Sequence, residues 1–171
     1  MNLNIVLIIV FIMAILWCYC QVNFKEPLVS HWGKSNTFTI NYGPLIITDG
    51  AKLQPEEASL IPQIKFNGLD SALYTLMMVS NPVGSPINTE RRQWLIINIP
   101  YEGPISKGDM ITAYEGPSLF DRSPKKYQFK LYKQVGHLFD IKLPIERKWD
   151  SNAFAEEHKL KMLADVYFES S

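Results

Sequence analysis

Two stretches of this chain, Tyr74-Thr-Leu-Met-Met-Val79 and Trp94-Leu-Ile-Ile-Asn-Ile99, are almost unbroken in apolar residues. Both are too short for an ordinary helix, so they read as strands buried on both faces. Strands of that kind belong at the centre of a fold, and the rest of the chain must cover them. Tyr127-Gln-Phe-Lys-Leu-Tyr-Lys133 alternates instead, with Tyr127, Phe129 and Leu131 on one side and Gln128, Lys130 and Tyr132 on the other. That strand is expected to face water on one side.

Short β-branched and aromatic runs, among them Phe38-Thr-Ile40, Leu45-Ile-Ile-Thr48 and Gln63-Ile-Lys-Phe66, are punctuated by Gly and Pro and predict further strands. The Pro-bounded segment Leu53 to Leu60 predicts a turn of helix or an exposed loop. After Asp150 the pattern changes: Asp150 or Ser151 can cap a helix, and Phe154, His158 and Lys161 or Met162 fall at helical spacing. Asp165-Val-Tyr-Phe168 is expected to be the closing strand. Many short strands and one late helix predict a mainly β fold, a two-sheet β-sandwich with Greek-key-like connections and a C-terminal helix.

At 171 residues, 47% of them apolar, the chain can bury one sizeable core but is short for two. Lys plus Arg and Asp plus Glu both number 17, so no field of one sign draws it to nucleic acid or anionic lipid. Arg91-Arg92 with Tyr127, Phe129 and Tyr132 resembles a stacking platform for single strands, but Tyr127 and Phe129 fall on the core face, and no nucleic-acid partner is expected.

The leading residues stand apart. Ile5 to Trp17 is an unbroken apolar run, and the first charged side chain is Lys25. The run matches a signal-peptide core of about 7 to 15 residues rather than a membrane span of about 20. Cys18 and Cys20 occupy the positions a signal peptidase reads. The expectation is therefore a signal peptide over 1–20, a secreted chain from Gln21, an N-terminal extension over 21–36 and one domain over 37–171, with an uncleaved membrane anchor as the alternative. Both cysteines lie in that leader, so the mature chain would form no disulfide.

Four segments, Leu73-Tyr-Thr-Leu-Met-Met-Val79, Trp94-Leu-Ile-Ile-Asn-Ile-Pro100, Tyr114-Glu-Gly-Pro117 and Tyr127-Gln-Phe-Lys-Leu-Tyr-Lys-Gln134, occur in an order that resembles the phosphatidylethanolamine-binding protein (PEBP) family. The piece from Tyr42 to Pro55 is similar to that family's N-terminal strands. The resemblance covers about Phe38 to Leu160 and implies a large central antiparallel sheet, a smaller sheet and a C-terminal helix. It also implies a small pocket for the phosphate of a phospholipid head group or a similar anion. The family builds that pocket from an Asp-Pro-Asp-Ala-Pro segment, a His before the Trp-Leu-Val-Val-Asn strand, and a Gly-x-His-Arg segment.

Here those polar residues are replaced. In Ser80-Asn-Pro-Val-Gly84, alignment on Pro82 puts Asn81 and Val83 at the aspartates, whereas ungapped alignment puts Ser80 and Pro82 there. Gln93 stands for the His, and Lys125 and Lys126 stand for His-Arg behind Pro124. The candidate ligand-binding residues implied by the resemblance are Ser80, Asn81, Pro82, Gln93, Tyr114, Gly116, Pro117, Lys125 and Tyr127. Lost carboxylates and the charge of Lys125 suit an anion, a desolvated lysine bond contributing about 1.5 to 3 kcal/mol. Without an imidazole, such a site should not switch between about pH 5 and 8. The alternative is that these are ordinary loop residues.

The chain has no Gly-x-Ser-x-Gly elbow, no phosphate-cradling Gly-rich loop and no cysteine after Cys20, so no enzyme activity is expected. His31, His137 and His158 lack partners at metal-ligand spacing, and neither metal nor cofactor is expected. Glu56-Glu57 and Glu156-Glu157 read as solvated faces. Glu146-Arg-Lys-Trp149 reads as an exposed turn with Trp149 a candidate contact residue. The expectation is a secreted, monomeric, non-enzymatic binding protein for a head group or small anion. One alternative is a protein-interaction module, a protease inhibitor or signalling modulator acting through Ile105 to Met110 or Leu119 to Pro124. The other is a PEBP-like mitochondrial ribosomal protein, which the neutral, Arg-free leader argues against.

Overall fold

The computed structural model describes residues 38–68, 71–85, 90–121 and 123–171; the expected leader and extension lie outside the described residues. The two apolar runs form β5 (Leu73–Pro82) and β6 (Arg91–Pro100), antiparallel neighbours that are buried along almost their whole length. They are central, as their composition requires. The remaining strands are β1 (Phe38–Tyr42), β2 (Leu45–Ile46), β3 (Ala51–Leu53), β4 (Gln63–Phe66), β7 (Asp109–Thr112), β8 (Lys125–Lys133) and β9 (Lys161–Ser170). One sheet has the order β2-β1-β4 and the other β3-β9-β8-β5-β6-β7. Among the described residues only the β3–β9 pairing is parallel. Pro55–Ala58 forms a single 3-10 turn. The architecture is the mainly β, two-sheet sandwich with a late helix that the sequence predicts.

Two faces of the large sheet are covered, for different reasons. On one, Phe168 of β9 stacks on Tyr127 of β8 (centroids 5.1 Å apart, 11° between planes) and meets Tyr42 of β1 edge-on at 5.8 Å. On the other, Met77, Leu95, Ile97 and Tyr132 pack against Phe154 and Ala155 of the helix α1 (Ser151–Glu157), with Leu138, Ile141, Leu143 and Trp149 around them. This corrects the expectation that β8 faces water on one side. Lys130 and Tyr132 are only 5% and 2% exposed because α1 and the segment before it lie over them. Trp149, expected on an exposed turn, is half-buried, 5.2 Å from the Phe154 ring.

A lysine under a helix needs partners, and Lys130 has them. Its Nζ donates to Glu90 Oε1 at 3.0 Å and to Ser151 Oγ at 2.6 Å, while Glu90 Oε2 accepts from the Ser151 backbone N–H at 2.9 Å. A buried ion pair is tolerable only when its remaining lone pairs and protons are also bonded, and this one fastens the first turn of α1 to the sheet. Asp150 caps the helix by accepting from the backbone of Asn152 and Ala153. The helix stops at Glu157, and Lys159 takes a left-handed conformation (φ 51°). Lys161 and Met162, expected on the helix, instead begin β9.

Candidate functional site

The expected pocket lies where β5, β6 and β8 end together. Side chains of directly opposed residues share a sheet face, and Ser80 opposes Tyr127 while Pro82 opposes Lys125. Gln93 joins that face by donating from Nε2 to Ser80 Oγ at 2.7 Å. Asn81 opposes Lys126 and lines a cleft of about 430 Å³ on the other face, with Gln128 and Lys130. Strand periodicity thus turns Asn81 away from Ser80, while Pro82, at the end of β5, borders the same cleft as Asn81.

A bulge in β6 prepares this arrangement. Met78 opposes Trp94 and Val79 opposes Arg92, so Gln93 is the extra residue between them. Arg92 and Gln93 therefore reach different surroundings. Gln93 is 3% exposed and meets Ser80, but its Oε1 is buried with no hydrogen-bond partner. The opposite amide orientation would pair Oε1 with the serine hydroxyl and leave the NH₂ without one.

The other expected ligand groups are already engaged within the protein. Lys125 forms an ion pair with Asp121, whose carboxyl is held well below the usual aspartate range by hydrogen bonds from Lys125 and Ser123. The Tyr114 hydroxyl donates to Ala58 O at 2.6 Å and lies 2.7 Å from the Tyr42 hydroxyl, which therefore acts as the donor between them. Gly116 backs onto the same 3-10 turn, where a Cβ would come within 2.2 Å of Ala58 O. Glycine is needed there for packing, and Pro117 beside it is buried. Tyr127 is 2% exposed. Burial pushes its hydroxyl up to about 12, with the Asp121 and Glu115 charges adding and Arg91 opposing. Burial likewise raises Tyr114 to about 12 and Tyr42 further. These phenols stay protonated and neutral at physiological pH.

Ser80, Gln93, Tyr127 and Lys125 are thus brought to one end and one face of the sheet, with Tyr114 joined to it through Tyr42. Three features beside them were not singled out from the sequence. Asp121, four residues before Lys125, was legible only as spacing. Glu115 gathers Arg91 (2.7 Å) and Arg147 (3.2 Å). The third is Arg92, which the sequence presents as half of a basic pair. Arg91 is on the surface, whereas Arg92 is 4% exposed, its Nε donating to Thr112 Oγ1 at 2.7 Å and its Nη2 to Pro144 O at 3.0 Å.

No family model matches the chain. It is 32% identical over 143 residues to the rice (Oryza sativa subsp. japonica) Protein MOTHER of FT and TFL1 homolog 2, across 80% of this chain and 82% of the relative. It is 27% identical over 162 residues to Arabidopsis thaliana Protein FLOWERING LOCUS T, across 86% and 92%. Among solved structures it is similar in fold to the carboxypeptidase Y inhibitor complexed with its cognate proteinase (TM-score 0.67, 20% identity, 80% of this chain and 83% of that one). The same holds for the phosphatidylethanolamine-binding protein from Plasmodium falciparum (TM-score 0.59, 15% identity, 78% and 84%). The plant relatives are cytoplasmic or nuclear proteins, which overturns the expectation of secretion.

Proposed function

This chain belongs to the phosphatidylethanolamine-binding protein family, and from that premise we propose that it is a non-enzymatic binding protein whose working contact is a protein partner docked on the loop from Ser118 to Lys125. One observation carries this reading: the loop is internally fastened yet presents Phe120 at 96% exposure, with Leu119 beside it at 46%. Ser118 Oγ accepts from the backbone of Phe120 and Asp121, Asp121 accepts from the Ser123 backbone, and Lys125 closes the loop through Asp121. Large apolar side chains on a preorganised loop cost little entropy to dock and suit an interface anchor. The fold is shared with a protein whose structure is that of an inhibitor complexed with its cognate proteinase, which supports the sandwich as a docking platform.

The head-group reading has one observation in its favour, the unpartnered amide atom of Gln93. Against it, the lysine that would neutralise a phosphate is neutralised by Asp121, and Tyr114 is held by Tyr42 and Ala58. An anion would have to displace a carboxylate that is already in place.

The test has two arms on the full chain. Calorimetric titration with phosphorylethanolamine is expected to give no heat. A photoreactive phenylalanine analogue at position 120 is expected to give one discrete adduct in native cells, absent when the same group replaces the exposed Lys65. Saturable phosphorylethanolamine binding that Gln93→Leu abolishes, without an adduct at position 120, would overturn the reading.

A further inference from the structure

Arg92 is a buried cation with an unused donor. Its Nε and Nη2 have partners, but Nη1 is buried without one. Leaving such a donor desolvated is costly, more so for a charged group, so the position calls for an acceptor. The guanidinium also lies over the Trp149 ring, 5.5 Å from its centroid, which holds the fork in place.

A second cation is fixed beside it. β7 leaves the edge of β6 after Thr112, and the segment around Arg147 takes that edge over: the Arg92 N–H donates to Arg147 O at 2.7 Å, and the Trp149 N–H to Glu90 O at 2.8 Å. Arg147 Nη1 reaches the carbonyls of Arg92, Gln93 and Ala113 at 3.2 to 3.3 Å, and its Nε pairs with Glu115. Burial, then the charge of Arg147, lowers the pKa of Arg92, so the two guanidinium groups repel across this space.

Both line a cleft of about 380 Å³, within the range of about 300 to 1,000 Å³ usual for small-molecule sites. Ile111, Thr112, Ile141 and Leu143 also line it, its exposed surface is mostly polar, and no acidic side chain lines it among the described residues. Two guanidinium groups held together, one with an unpaired donor and the other paired outside the lining with Glu115, form an oxyanion receptor.

We propose that the Arg92–Arg147 cleft binds the oxyanion of a small ligand, a carboxylate or phosphate monoester, beside Ile111, Ile141 and Leu143. Arg92 Nη1 is closed off in the free chain, so binding requires the fork to turn toward one oxygen, while Arg147, shared with Glu115, adds a weaker attraction. This site is separate from the Ser80–Gln93 pocket and from the Ser118–Lys125 loop, and it stands without the docking reading above.

The experiment titrates the full chain with phenyl phosphate and with benzoate, using benzyl alcohol as the neutral control and following binding by nuclear magnetic resonance. At least one anion is expected to saturate in the millimolar range or tighter while benzyl alcohol does not, and the stronger of the two identifies the preferred head. R92M is expected to weaken binding at least about tenfold and R147Q by less, whereas Q93L and F120A leave it unchanged. Should R92M fail to fold, the Arg92 Nε–Hε resonance of the unmodified chain decides: a saturating shift supports the site. No shift at that resonance, or full affinity in a folded R92M, overturns it. Binding lost in Q93L but kept in R92M would assign the anion to the other pocket and overturn the proposal equally.

Discussion

The strands β5, β6 and β8 have buried polar groups near both ends, yet the two ends are built to different standards. At one, Gln134 Oε1 accepts from Thr75 Oγ1 (2.9 Å) and the Asn98 backbone (2.7 Å), while its Nε2 donates to Asn98 Oδ1 (2.8 Å) and Gly136 O (2.9 Å). Asn98, in a left-handed conformation (φ 54°), adds bonds to Asp109 and Leu138. The Tyr132 hydroxyl is the unpaired buried group nearby. At the other end Asn81 Oδ1, Arg92 Nη1, Gln93 Oε1, Trp94 Nε1 and Ser170 Oγ are all buried without partners. The difference teaches where to look for binding: a closed amide network is architecture, while unused donors and acceptors mark an end left open for something else.

The largest effect should come from the closed end. Gln134→Leu leaves Thr75 Oγ1 and the Asn98 N–H unpaired in the interior and takes one of two donors from Asn98 Oδ1, and is expected to cost about 3 kcal/mol or more of unfolding free energy in chemical denaturation. A cost below about 1 kcal/mol would mean that water satisfies these groups as well as the amide does, and the contrast between the ends would vanish. At the open end, Gln93→Leu removes one bond to Ser80 together with an orphaned atom. These oppose each other, so the same measurement is expected to stay within about 1 kcal/mol of the unmodified chain. A loss as large as that of Gln134→Leu would show that Gln93 is architectural too.

This contrast also explains what the sequence could and could not convey. Apolar runs of β5 and β6, and the alternation of Tyr127, Phe129 and Leu131, state which strands are central, because burial follows directly from side-chain type. Asn98 and Gln134 belong to the segments that carried the family resemblance, and their network shows why such polar residues accompany the fold. The site was less legible. Whether Ser80 or Asn81 faces Gln93 depends on register, and a shift of one residue exchanges the faces. Arg91 and Arg92 look equivalent in sequence, and only the bulge at Gln93 and the arrival of Arg147–Trp149 on the edge of β6 separate a surface cation from a buried one. Lys130 reads as solvent-facing because its partners Glu90 and Ser151 lie 40 and 21 residues away. No local pattern links them.

The smallest effect, and the one that separates the loop from the pocket beneath it, concerns acid. Asp121 is ionised more readily in the folded chain than an ordinary aspartate near pH 3.9 because Lys125 and Ser123 donate to its carboxylate. A folded value below the unfolded one means that the contribution is complete above the ordinary aspartate range and is lost as pH falls through the lower folded value. Protonation would release Lys125 and the Ser123 backbone, loosening the loop that presents Phe120, while Ser80, Gln93 and the neutral phenols below carry no charge to lose. Between about pH 1.5 and 5, the amide resonances of Ser118, Phe120 and Ser123 should therefore move together with the Asp121 carboxyl carbon, at a midpoint below the ordinary one, while those of the core residues Leu76 and Leu131 stay still. Asp121→Asn should remove the transition and Lys125→Met should raise its midpoint. If the midpoint lies at the ordinary value in the unmodified chain, Lys125 is free in solution, and the pocket regains the cation that the loop is here taken to hold.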